Sequence, residues 1–145
     1  MRCGLFVPVF ILILVQVELY GFGDCQPPKV VKIAALFTFD SVIGRSAKTA
    51  IEAAIYDVNN DPRILEGIRL NLIMKDLNCS AFTGAIEAVF QVIEEEVVAI
   101  IGPQPSSIAR MVSFIANGLQ VPLVSFAATD PTLSSLEYSY FLRTR

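Results

Sequence analysis

The residues with chemistry to offer sit where apolar runs end. In Ala99–Met111, "AIIGPQPSSIARM", an apolar run stops at Gly102-Pro103, hydroxyls follow at Ser106 and Ser107, and helical periodicity then begins. Free N–H groups at a helix start attract an anion, and the helix dipole adds about 0.3–1 kcal/mol at an exposed site. Serine is also a preferred N-cap for its own helix. The turn therefore reads either as a capped helix start or as a seat for a carboxylate or phosphate oxygen. A second polar stretch, "FAATDPTLSS", puts Thr129 at the end of a later strand, where its hydroxyl would face the same crevice as Ser106. Two hydroxyls and helix-start amides suit an α-amino acid: amides and hydroxyls for the carboxylate, a carbonyl or acid for the ammonium. Asp40 is a candidate acid, and equally a solvated turn residue.

Other chemistry is excluded. The chain has no histidine, which removes Ser-His-Asp and Cys-His pairs and His-ligated metal sites. No G-x-S-x-G elbow surrounds Ser106 or Ser107. "VIGRSAKT" resembles a phosphate-binding loop, but Ala47 and Val42 stand where that loop needs glycine, so no nucleotide is expected. Net charge is -3 with no basic stripe, which argues against nucleic acid. The reading is a non-enzyme with no cofactor and no metal.

These residues need a frame, and the hydrophobic pattern supplies one. Residues 1–23 have Arg2, an apolar run of about a dozen residues and small residues at Gly21 and Gly23, the layout of a signal peptide cleaved near Gly23. An uncleaved anchor is the competing reading, although a spanning helix needs roughly 20 apolar residues. Residues 24–145 are then lumenal or extracellular. In that compartment Cys25 and Cys79 would pair with each other or with partners elsewhere. Asn78-Cys79-Ser80 is a sequon, so Asn78 is a candidate glycosylation site.

After the leader, β-branched runs alternate with helical stripes. Strands are expected at Val30–Phe39, Ile68–Asn78, Val97–Gly102 and Val121–Ala128, with "YFLRTR" opening a fifth. Between them, Ala47, Ala50, Ile51, Ala54, Ile55 and Val58 form one helical stripe. Phe82, Ala85, Ile86, Val89 and Ile93 form a second, and Ile108, Met111, Val112, Ile115, Ala116 and Leu119 a third. The expected fold is α/β: a doubly wound, mostly parallel sheet with helices on both faces. Ligands of such sheets bind beyond the carboxyl ends of the strands, which singles out residues 38–46, 102–107 and 127–132.

Four blocks, "ALFTFDSVIGRSAK", "DVNNDPRILEGIRLNLIMKDLNCS", "VAIIGPQPSS" and "VPLVSFAATDPTLSSLEYSYFLRTR", closely resemble the amino-terminal domain of plant glutamate receptor-like channels. More broadly they are similar to the type I periplasmic-binding-protein fold. The resemblance implies one lobe of a clamshell, truncated before its second lobe, in the extracellular part of a ligand-gated cation channel that senses amino acids such as glutamate. It also implies other receptor subunits as partners. The ligand contacts it carries over are Ser106, Ser107 and Thr129. Pro105 departs from the plant pattern, which usually has serine there, and Ala127 holds a place where related amino-acid receptors can have serine. The resemblance implies that Cys79 pairs with a cysteine far downstream, a partner absent from this chain, leaving Cys25 as the alternative. A secreted binding or interaction module made as a short product is the other functional reading.

Overall fold

A computed structural model describes residues 29–144; the leader assigned to residues 1–23, and Cys25, lie outside them. Five strands and three helices alternate: β1 Val30–Phe37, α1 Val42–Asn60, β2 Arg69–Asp76, α2 Ala81–Ile93, β3 Ala99–Ile101, α3 Ser106–Leu119, β4 Leu123–Ser125 and β5 Phe141–Arg143. Two 3-10 turns, Pro131–Ser134 and Leu136–Tyr138, lead from β4 into β5.

The strands pair in the order β2-β1-β3-β4-β5, and every pairing is parallel. β1 to β2 steps one way across the sheet, whereas β2 to β3 and β3 to β4 step the other way. Right-handed crossovers therefore put α1 on one face and α2 with α3 on the opposite face. Side-chain alternation agrees. Ile100 and Leu123 join Ile108, Val112 and Ala116 in the main core, while their neighbours Ile101 and Val124 line a cavity of about 280 Å3 with Ala47, Ala50 and Ile51 of α1.

Local chemistry sets the helix starts. Ser41 Oγ accepts the Gly44 N–H at 2.9 Å to cap α1, and Ser80 Oγ accepts the Thr83 N–H at 3.2 Å to cap α2. α1 stops at Asn60, just before Pro62, which cannot continue a helix. α2 and α3 meet closely at Gly84, where a Cβ would stand 2.7 Å from the Ile108 side chain.

The apolar stripe of α2 does not face the core. The helix buries Gly84, Ala88 and Gln91, while Phe82, Ile86, Val89 and Ile93 are exposed, Phe82 at 74%. The inward face carries glycine and alanine at Gly84 and Ala88, with Gln91 below them, because α3 packs close against it at Gly84. The outward stripe walls a groove of about 420 Å3 with Phe90 and Ile115. α3 follows its pattern only in part: Ile108, Val112 and Ala116 are buried, and Met111 is exposed.

Candidate functional site

β1 and β3 are neighbours whose following helices lie on opposite faces, so a crevice opens between their carboxyl ends. Gly102 shapes one wall. Its φ is +99°, and a Cβ there would stand 2.2 Å from the Leu36 carbonyl oxygen, so only glycine fits without strain. Gln104, buried between Pro103 and Pro105, ties the two loops together. Its Oε1 accepts the Thr38 N–H at 3.4 Å, and its Nε2 has no partner among the described residues. Ser125 Oγ donates to the Pro103 carbonyl at 2.9 Å and accepts the Ala128 N–H at 3.3 Å. β3 and β4 are thereby locked at the crevice floor.

The expectation that Ser106 or Ser107 caps its own helix is corrected here. The N-cap of α3 is Pro105, and no side chain caps the helix; both serines already lie inside the first turn. Ser106 Oγ instead accepts the N–H of Thr129 at 3.1 Å and of Asp130 at 3.2 Å. That arrangement uses both acceptor lone pairs and leaves the Ser106 O–H as a donor. The N–H groups of Ser106 and Ser107 donate to no protein atom among the described residues. An uncapped helix start, a donor hydroxyl and the adjacent Thr129 thus converge on one spot.

Ser107 and Thr129 are exposed at this spot, and Ser106 is half-buried. Asp40 does not join them: its side chain is exposed, and its backbone carbonyl takes the Arg45 guanidinium at 2.7 Å. Asp130 does lie beside the serine–threonine pair. Hydrogen bonds from the Thr132 hydroxyl and N–H, then from Arg110, hold its carboxyl below the usual value. Arg110 also donates to Thr132 Oγ1 at 3.2 Å. The site therefore mixes open amides, hydroxyls, the Arg110 guanidinium, that of Arg143, which donates to the Thr129 and Asp130 carbonyls, and one carboxylate that is already engaged.

Just after the edge strand β2, at the same carboxyl end of the sheet, Asn78 and Cys79 are exposed with positive φ. Cys79 forms no disulfide among the described residues, and its N–H donates to Thr38 Oγ1 at 3.2 Å. The sequence singles out stretches 38–46 and 102–107 without giving Thr38 or Gln104 a role in them, and Ser125 lies outside every stretch it singles out for a ligand. The available signal was a lone polar residue between two prolines directly after a strand.

This geometry defines the class: a partial lobe of the type I periplasmic-binding-protein fold. Superposition on the branched-chain amino acid transporter substrate-binding protein LivJ from Streptococcus pneumoniae, solved with isoleucine, gives a TM-score of 0.71. It covers 79% of this chain and 33% of that one at 20% identity. The leucine-binding protein LivK of Thermotoga maritima gives 0.64, covering 78% and 32% at 25% identity.

Sequence comparison then fixes the family. The profile described as receptor family ligand binding region matches residues 46–145, and the chain belongs to that family. Within it the chain is similar to plant glutamate receptors: Glutamate receptor 3.7 of Arabidopsis thaliana is 54% identical over 99% of this chain, and Glutamate receptor 3.4 of the same plant is 59% identical over 82%. The chain spans only 16% and 12% of those two relatives. Among the described residues no helix is long and apolar enough to cross a membrane.

Proposed function

We propose that this chain contributes one wall of an extracellular amino-acid-sensing domain in a glutamate receptor-like, ligand-gated cation channel. It is not an enzyme. The carrying observation is the Ser106–Thr129 contact beside the two N–H groups of α3 that have no partner among the described residues. The ligand's α-carboxylate takes the Ser106 and Ser107 amides and the Ser106 hydroxyl, and Thr129 helps to hold its ammonium. Support comes from the glutamate receptor relatives and from a fold neighbour solved with isoleucine. Residues 1–23 serve as the signal peptide, residues 24–145 belong to the receptor domain, and Asn78 carries a glycan. The test is calorimetric titration of L-glutamate and L-isoleucine into the full-length protein that carries this chain. A Ser106→Ala, Thr129→Ala double variant abolishes binding while leaving the circular dichroism spectrum unchanged. Unaltered affinity refutes the assignment.

A second role, subunit assembly, is favoured by the outward stripe of α2. Phe82, Ile86, Val89 and Ile93 repeat at spacings of four, three and four, the heptad spacing of helix-to-helix seams. Large apolar side chains at that spacing are rarely left to water. The partner is another receptor subunit.

A further inference from the structure

The loop carrying Thr129 leaves the sheet after Ser125, and Ser125 is the register partner of Arg143 on β5. Arg143 therefore stands level with the root of that loop, and its guanidinium extends along it. Nη1 donates to the Thr129 carbonyl at 3.4 Å, while Nη2 donates to the Asp130 carbonyl at 3.1 Å and to Ser134 Oγ at 3.0 Å. The N–H groups of the same two residues are taken by Ser106 Oγ. Thr129 and Asp130 are thus gripped by their amides from α3 and by their carbonyls from β5.

Only a guanidinium fits this task. Its planar fork reaches three acceptors at once, whereas an ammonium is a single point charge on a flexible stem. Arg143 takes no part in the ion pairs among the described residues, so its donors are committed to the loop. Asp130 adds a second tie, its carboxylate held by Arg110 and Thr132.

We infer that Arg143 is a positioning residue of the amino-acid site: it fixes the Thr129–Asp130 backbone so that the Thr129 hydroxyl stays beside the open amides of α3. The ligand in this statement rests on the function proposed above; the grip on the loop rests on the hydrogen bonds alone.

Hydrogen–deuterium exchange over residues 129–132, paired with L-glutamate titration, tests it on the full-length protein carrying this chain. In Arg143→Ala, exchange at Thr129 and Asp130 rises about tenfold or more, the scale of a lost charge-assisted hydrogen bond. L-glutamate affinity falls by a similar factor. Millimolar guanidinium restores slow exchange in that variant, and equal sodium does not. Arg143→Lys keeps the charge but not the fork, and gives exchange between the two extremes. Adding Ser106→Ala to Arg143→Ala costs less than the two single losses combined, because both hold one segment. Wild-type exchange at 129–132 in Arg143→Ala overturns the inference, as does equal rescue by sodium. Should Arg143→Ala fail to fold, wild-type exchange in Arg143→Lys overturns it instead. A wild-type protein that takes up no L-glutamate overturns the amino-acid reading, whereas the exchange rates judge the grip of Arg143 by themselves.

Discussion

Replacing Gly102 with alanine tests the architecture of the crevice wall. The residue sits at φ +99°, and an added Cβ would meet the Leu36 carbonyl oxygen at 2.2 Å and the Phe37 ring at 2.8 Å. Both neighbours belong to β1, an interior strand; one is backbone and the other a fully buried ring, so neither can swing aside as a flexible side-chain end does. Backbone strain at a sparsely populated conformation costs about 1–3 kcal/mol, and overpacking adds about 1–3 kcal/mol. Gly102→Ala is therefore expected to destabilise the chain by about 2–6 kcal/mol, a large share of the roughly 5–15 kcal/mol that holds a domain together. Thermal unfolding followed by far-ultraviolet circular dichroism should show a midpoint lower by roughly 10–20 °C. Gly118 is the control: it lies in α3, and a Cβ there would meet nothing within 4 Å. Gly118→Ala should stabilise by up to about 1 kcal/mol. A Gly102→Ala midpoint equal to wild type refutes the argument, because the turn would then not press against β1.

Three further outcomes follow from the same geometry. Asp130 has a lowered folded-state value, so its contribution to stability is present above the ordinary carboxylate value of about 3.9 and is lost as pH falls through the folded one. Acid titration of unfolding should show wild type losing more stability below about pH 4 than Asp130→Asn does; parallel curves would refute it. Asn78→Gln should remove one endoglycosidase-sensitive mass increment from secreted protein without altering the fold, since the α2 cap belongs to Ser80; an unchanged mass refutes glycosylation there. Phe82→Asp with Ile86→Asp should shift sedimentation toward the monomer and leave the fold intact, because both side chains are exposed. An unaltered oligomer rules that stripe out as a seam.

Much of the frame was legible because strands and helices announce themselves locally. The run Val30–Phe39 became β1 at Val30–Phe37, and the stripe through Ile108, Val112 and Ala116 became the buried face of α3. Expected strands at Ile68–Asn78 and Val121–Ala128 shortened to Arg69–Asp76 and Leu123–Ser125, since pairing with a neighbour ends before β propensity does. Amphipathicity misled at α2, where periodicity marks an apolar side but not whether the protein itself covers it. Juxtaposition of Ser106 and Thr129 was foreseen from strand adjacency. The direction of that hydrogen bond was not, because a serine reads as a cap until a loop 23 residues away claims its oxygen. Gln104 and Arg143 escaped for the same reason: each acts on backbone far off in the chain, and no local pattern encodes such a partner.

The strand order carries a consequence for how the chain is made. β1 is synthesised first and lies inside the sheet. β2 is laid on one side of it, and β3, β4 and β5 are then added in turn on the other. Every new strand joins an edge that already exists, and none has to insert between two earlier ones. A nascent chain leaving the ribosome at about 5–20 residues per second can therefore build this sheet by accretion, each βα unit docking as it emerges. Pairing then closes between β1 and the strands nearest it before the outermost strand is translated, and growth proceeds without dismantling what has already formed.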